Sequence, residues 1–231
     1  MKLSVKIAGI VFLALALLDV VSLAFGNETI PFYVKPFLMP TLALAALLQL
    51  SPEVKGSRVW LLMAGLYFHT IGDILLMFDD KDFIYFALGL GAFLIGHFFY
   101  LSILFSGIGP LKGFKELFYV LVLPIILAPV IVGCFGVEWP FSVAVVAYAF
   151  TLLVVTGTGC LWKMRGREFG CRIIFGGIFF IISDGLIAVN AFAGLSFPFR
   201  GAVVMATYLL AEWLLVSGMV RNTINGIRPK A

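Results

Sequence analysis

The chain has 231 residues, 62% of them hydrophobic and only 12% charged. Soluble domains run at about 45–50% apolar and about 25% charged. A water-soluble globule is therefore excluded, because no such fold could hide this much apolar surface, and part of the solvent must be lipid. The formal net charge of +4 is not a nucleic-acid signal, since the basic residues fall in short gaps between apolar runs, as juxtamembrane charges do.

Eight apolar runs are long enough to span a membrane: 7–25, 33–50, 58–78, 83–106, 116–135, 139–162, 172–194 and 201–220. The first follows "MKLSVK" and ends near "SLA", a pattern shared with secretory signals. It is long for a signal core and contains Asp19, so it is read as a retained span. The second carries Lys35 near its outer end, where snorkelling and function compete as explanations. The third holds "HTIGDILLMFDD", in which His69 and Asp73 stand four residues apart and share a helix face with Gly65 and Gly72. The fourth aligns Gly89, Gly96, His97 and Tyr100 on one face. The fifth and sixth are nearly free of charge. The seventh puts Gly177 and Asp184 on one face and adds Asn190, and the eighth carries Tyr208 and Glu212. Three cysteines, Cys134, Cys160 and Cys171, form no CxxC pair, and neither a disulfide framework nor a cysteine metal site is expected.

The gaps "SPEVKGSR", "FDDKD", "SGIGPLKGFK", "WKMRGREFG" and "LSFPFR" leave no room for a soluble domain, so residues 1–231 are expected to form a single transmembrane domain. Eight spans divide the sixteen basic residues 13 against 3. Lys35, Lys81 and Arg200 stand on one side, and all others stand with the two termini. The positive-inside rule then places both termini in the cytoplasm. The expected fold is all-α, a polytopic membrane protein of eight transmembrane helices.

Small residues beside polar ones mark the packed faces of membrane helices. An ionisable residue at a helix centre costs about 2.5–3.5 kcal/mol on insertion scales, so it faces the bundle interior or a wet cavity. By orientation, His69, Asp184 and Glu212 fall near the midplane, with His97 slightly inward of it. Asp19, Lys35, Asp73 and Asn190 fall in the outer half. The bland reading of these residues is helix–helix glue; it is slightly favoured for Asp19, and function is favoured for Asp73 and Asp184. A weak repeat supports pairing those two. "GLYFHTIGDIL" (65–75) and "GGIFFIISDGL" (176–186) align at an offset of 111, which matches Asp73 to Asp184 and sets His97 opposite Tyr208. The repeat would be parallel, four helices plus four.

"KPFLMP", "GDILLMF", "GHFFYLSILF" and "ISDGLIAVN" resemble the YhhN-like family of integral membrane proteins, and the likeness covers essentially the whole chain. Its most specific parts are Lys35-Pro36, Gly72-Asp73 with Leu76, Gly96-His97 with Tyr100, and Ser183-Asp184 with Leu186. The resemblance implies a lysoplasmalogenase in a bacterial cell (inner) membrane, with a lysophospholipid as substrate and membrane lipid around it. Such an enzyme hydrolyses the vinyl ether bond of a lysoplasmalogen to a fatty aldehyde and a glycerophospho-amine.

That chemistry needs a proton donor, an anionic carboxylate beside the developing cation, and a held water, demands that glycosidases meet with two carboxylates. Asp73 and Asp184 are the expected pair. His97 or Tyr208 would orient the water, Lys35 would take the headgroup phosphate, and His69, Tyr100, Asn190, Glu212 and Asp19 would support the site. No cofactor and no metal is expected, although a zinc site on His69, His97 and an acid is the nearest enzyme rival. A proton-coupled transporter of a lipid-like or small amphipathic solute is the rival from another class, since midplane carboxylates and a parallel repeat fit it too.

Overall fold

The computed structural model describes residues 3–50, 56–106, 108–134, 136–137, 139 and 141–225. Lys2, Lys55, Arg228 and Lys230, four of the basic residues used to orient the chain, lie outside them. Each expected span is a helix: α1 (Leu3–Ala24), α2 (Thr29–Gln49), α3 (Ser57–Leu76), α4 (Phe83–Ser106), α5 (Phe114–Cys134), α6 (Phe141–Met164), α7 (Gly170–Ala193) and α8 (Arg200–Asn225). All eight are long and apolar enough to cross a membrane, and there is no strand among the described residues. The helical state follows from the solvent, since hydrocarbon offers no partner to a backbone N–H or C=O and each segment must satisfy its own. Helix ends differ from the apolar runs by a few residues because hydrogen bonding continues into polar flanks. The last helix continues to Asn225, beyond the apolar run's end at Val220.

Large apolar side chains stay exposed along the helices, among them Ile10 and Leu17 on α1, Phe37 on α2, Ile125 on α5 and Phe175 on α7. Lipid is the medium that covers such side chains. Trp60, beside the start of α3, and Trp139, before α6, are exposed near helix ends, the level where indoles favour the membrane interface.

Two compact units are distinguished: residues 1–103 with 219–231, and residues 104–218. In the first unit α1 packs on α2 and α2 on α3. Pro36 and Pro40 stand inside α2, so the carbonyls four residues before them lose their usual helical donors. Helices α3 and α4 meet through glycines. A Cβ on Gly65 would lie 2.5 Å from the Tyr100 ring, one on Gly72 2.7 Å from Phe93, and one on Gly89 2.9 Å from Leu76, while one on Gly96 would collide with the His69 ring. The glycines that marked these faces in the sequence are thus the points of closest approach.

In the second unit α5 packs on α6 and α6 on α7. Helix α5 widens into a π turn at Phe118–Val122, just ahead of Pro124, which has no N–H to donate. The Tyr119 carbonyl of that turn lies where a Cβ on Gly157 of α6 would stand. Gly177 of α7 meets Thr156 of α6, and Gly176 meets Leu215 of α8. The loop before α5 is strapped to the end of α6. Arg165 holds Glu116 through two hydrogen bonds, Nε to Oε1 at 2.9 Å and Nη2 to Oε2 at 2.6 Å, and also donates to the carbonyls of Ile108 and Pro110. The hydrogen bonds to Glu116 push the Arg165 guanidinium above its ordinary value, so it stays charged. Trp162 Nε1 donates to the Leu104 carbonyl at 3.2 Å. Cys134, Cys160 and Cys171 are free thiols.

Candidate active site

Within the first unit, the packed face of α3 and α4 carries two histidines. His69 and His97 are fully buried, their ring centroids 4.7 Å apart. Phe93 lies 5.3 Å and Tyr100 4.9 Å from the His69 ring, centroid to centroid. Only a glycine at position 96 leaves room for that ring. His97 Nδ1 is 2.9 Å from the Phe93 carbonyl, which can only accept, so Nδ1 carries the proton and a neutral ring keeps its lone pair on Nε2. Asp73 is buried one turn beyond His69 on α3. The sequence thus placed His69, Asp73, His97 and Tyr100 on packed faces, and the structure gathers the two rings and Tyr100 into one cluster.

Asp19 on α1 is fully buried, and neither carboxylate oxygen has a hydrogen-bond partner among the described residues. Its electrostatic partner is Lys35 of α2, which is half-buried.

The second unit holds Asp184 on α7, half-buried, with Tyr148 of α6 donating its phenolic O–H to Oδ2 at 2.5 Å. Glu212 of α8 is fully buried and acts electrostatically on Asp184. Ser183, beside Asp184, donates to the Val204 carbonyl at 3.0 Å and so ties α7 to α8. Tyr208 is buried and meets Phe180 edge-on, centroids 5.5 Å apart. Asn190 is half-buried near the end of α7.

Asp184 and Tyr148 border a small, partly open cleft. Its walls are apolar side chains of α5, α6 and α7, including Val132, Val145, Leu152 and Ile181. Small-ligand sites combine apolar walls with a few polar groups, and the lining of this cleft has that character. Sequence reasoning missed Tyr148. It stands alone in "VAVVAYAF", 36 residues from its partner, so no helical-face spacing connects the two. The signal available was indirect: an acid inside a span needs a donor, and Tyr148 is a hydroxyl inside a neighbouring apolar span. Among the described residues, no group of three or more His, Cys, Asp or Glu gathers where it could hold a metal ion.

Eight helices long and apolar enough to span a membrane, with buried acids, a histidine pair and a phenol-bound carboxylate, define a class: polytopic membrane proteins with ionisable groups inside their spans. A profile described as the YhhN family matches residues 30–219, and the chain belongs to that family. It is 31% identical over 170 residues to the protein named lysoplasmalogenase TMEM86B of Mus musculus, covering 72% of this chain and 66% of that protein. To lysoplasmalogenase TMEM86A of Homo sapiens it is 29% identical over 174 residues, covering 70% and 65%. To lysoplasmalogenase TMEM86B of Homo sapiens it is 30% identical over 190 residues, covering 80% and 74%. The chain thus spans about two thirds of the length of the first two of these curated relatives. No solved structure matches it.

Proposed function

We propose that this protein hydrolyses the vinyl ether bond of lysoplasmalogens inside the membrane, using Asp73 and Asp184 as its acid–base pair. The observation that carries the reading is the likeness to lysoplasmalogenases over 70–80% of the chain. The lining of the cleft at Asp184 supports it, since apolar walls with a carboxylate and a phenol among them suit an amphiphile whose reacting bond lies next to its hydrocarbon. The chain would work as one transmembrane domain with both termini cytoplasmic, in a bacterial inner membrane.

The chemistry balances on two carboxyl groups. A protonated acid gives its proton to the β-carbon of the vinyl ether, and the positive charge moves to the adjacent carbon–oxygen unit. The ionised carboxylate stabilises that cation and takes a proton from the water that adds to its carbon. The product is a hemiacetal. On collapse, its hydroxyl proton returns to the first carboxylate and its carbon–oxygen bond to glycerol breaks. The second carboxyl protonates the departing oxygen, so both groups end as they began. One water is consumed, and a fatty aldehyde and a glycerophospho-amine leave. Lys35 would attract the headgroup phosphate as a point charge.

The test is incubation of the purified protein in detergent with lysoplasmalogen and measurement of free aldehyde. Aldehyde release is expected. A transporter needs a sealed bilayer to show its activity and would release none.

A further inference from the structure

Two short segments carry much of the chain's positive charge. Residues 108–117 and 161–172 hold six basic side chains, Lys112, Lys115, Lys163, Arg165, Arg167 and Arg172, against two acids, Glu116 and Glu168. They make up the start of α5, the end of α6 and the start of α7, all within the second unit. Printed on the backbone, their contacts make one edge. Arg165, just past the end of α6, grips Glu116 in the first turn of α5, and Glu116 also accepts from the Lys112 N–H. The same guanidinium donates to the Ile108 and Pro110 carbonyls. Helix α6 closes with the Arg167 N–H donating to the Trp162 carbonyl at 2.9 Å and the Gly166 N–H to the Lys163 carbonyl at 3.0 Å, a cap for which Gly166 adopts φ +70°.

These contacts divide the six cations by task. The arginines are bound to the protein itself. Arg165 is spent on Glu116, and the Arg167 guanidinium lies 5.5 Å from the centre of the Trp162 ring. Arg172 lies 5.7 Å from the Phe169 ring centre and donates to Ser217 Oγ at 3.0 Å. The lysines point elsewhere: Lys112, Lys115 and Lys163 are exposed, and none of them forms an ion pair among the described residues. Each has an exposed apolar neighbour in the chain, Leu111 for Lys112, Phe114 for Lys115 and Met164 for Lys163. Basic and apolar side chains interleaved in this way suit the level where hydrocarbon gives way to lipid headgroups. The backbone suits it too, because Arg165 and the α6 cap satisfy carbonyls that water would otherwise have to reach. The preference for positive charge in a cytoplasmic gap asks only for charge, and does not ask for exposed lysines set around a neutral guanidinium–carboxylate clamp.

We propose that this edge is a binding surface for anionic phospholipid, with Lys112, Lys115 and Lys163 on the headgroup phosphates and Phe114 among the lipid chains. The Arg165–Glu116 clamp cancels its own charge and holds the two lysine-bearing segments together, so the lysines set the sign of the edge. An ammonium on a flexible stem meets a phosphate as a point charge and demands no single orientation of the lipid. A zwitterionic headgroup offsets its phosphate with its own ammonium, so charge complementarity selects an anionic lipid. The proposal stands apart from the hydrolase reading and uses no residue of the Asp184 cleft.

The test is thermal unfolding of the purified full chain in a neutral detergent with phosphatidylglycerol, phosphatidylcholine or inorganic phosphate added. A lipid that binds the folded protein raises its unfolding temperature. At low salt, phosphatidylglycerol should raise it by about 3 °C or more beyond phosphatidylcholine, and high salt should shrink that difference. Lys112→Gln/Lys115→Gln/Lys163→Gln should lose at least half of the difference. Lys81→Gln/Arg200→Gln, which removes charge from other gaps of the chain, should keep it. The three single replacements are run beside the triple variant and should each lose part of the difference, so the outcome does not depend on the triple variant folding. Equal shifts with the two lipids, or an equal shift with inorganic phosphate, would overturn the proposal. So would single lysine variants that all keep the whole difference, or a Lys81→Gln/Arg200→Gln variant that loses as much as the triple one.

Discussion

At the scale of single residues, the strongest expectation concerns the two aspartates. Asparagine keeps the shape of the side chain but cannot give or take the proton. Asp73→Asn and Asp184→Asn should each fall below a tenth of the wild-type rate, a loss above about 1.4 kcal/mol of barrier, while the proteins still insert and purify. Aldehyde release above that level would make the residue structural. His69→Ala should be milder than Asp73→Asn, because His69 acts on a neighbour one turn away. Tyr148→Phe removes a single donor from Asp184 and should lower kcat without changing yield or monodispersity. Metal dependence gives a separate check on mechanism. The carboxylate route needs no bound ion, whereas a zinc route needs one to make hydroxide near neutral pH. Prolonged chelation should leave aldehyde release unchanged. Activity lost on chelation and restored by zinc would make Asp73 a ligand or the partner of one.

At the scale of helices, stability depends on how closely backbones approach. Gly157 has the Tyr119 carbonyl where a Cβ would stand, and a backbone carbonyl in a packed π turn cannot swing aside. Gly157→Ala should therefore cost about 1–3 kcal/mol or more by overpacking. Gly9, with nothing within 4 Å of its Cβ site, should accept alanine within about 0.5 kcal/mol. Unfolding in detergent, read by circular dichroism, distinguishes the two, and equal effects would contradict the packing. Arg165→Lys keeps the charge at the strap before α5 but loses the two-point grip on Glu116. A lower unfolding temperature is expected.

At the scale of the whole molecule, the 13-to-3 division of basic residues predicts that reporters fused near Lys112 and Arg167 lie in the cytoplasm. Either one found outside would overturn the assigned orientation. Sequence alone determined the number of spans and their helical state, because hydrocarbon forces any long apolar segment to satisfy its own backbone. It also marked His69, Asp73, His97 and Asp184, since an ionisable group in an apolar run is costly wherever the run lies. Helical spacing even told which glycines face a neighbour: Gly65, Gly72, Gly89 and Gly96 are where α3 and α4 touch. Partners on different helices were beyond its reach. That Tyr148 donates to Asp184 and that His69 lies against His97 depend on how helices rotate and cross. Those angles are set by side chains meeting across the contact, and no periodicity within one helix records which residue of another will stand opposite.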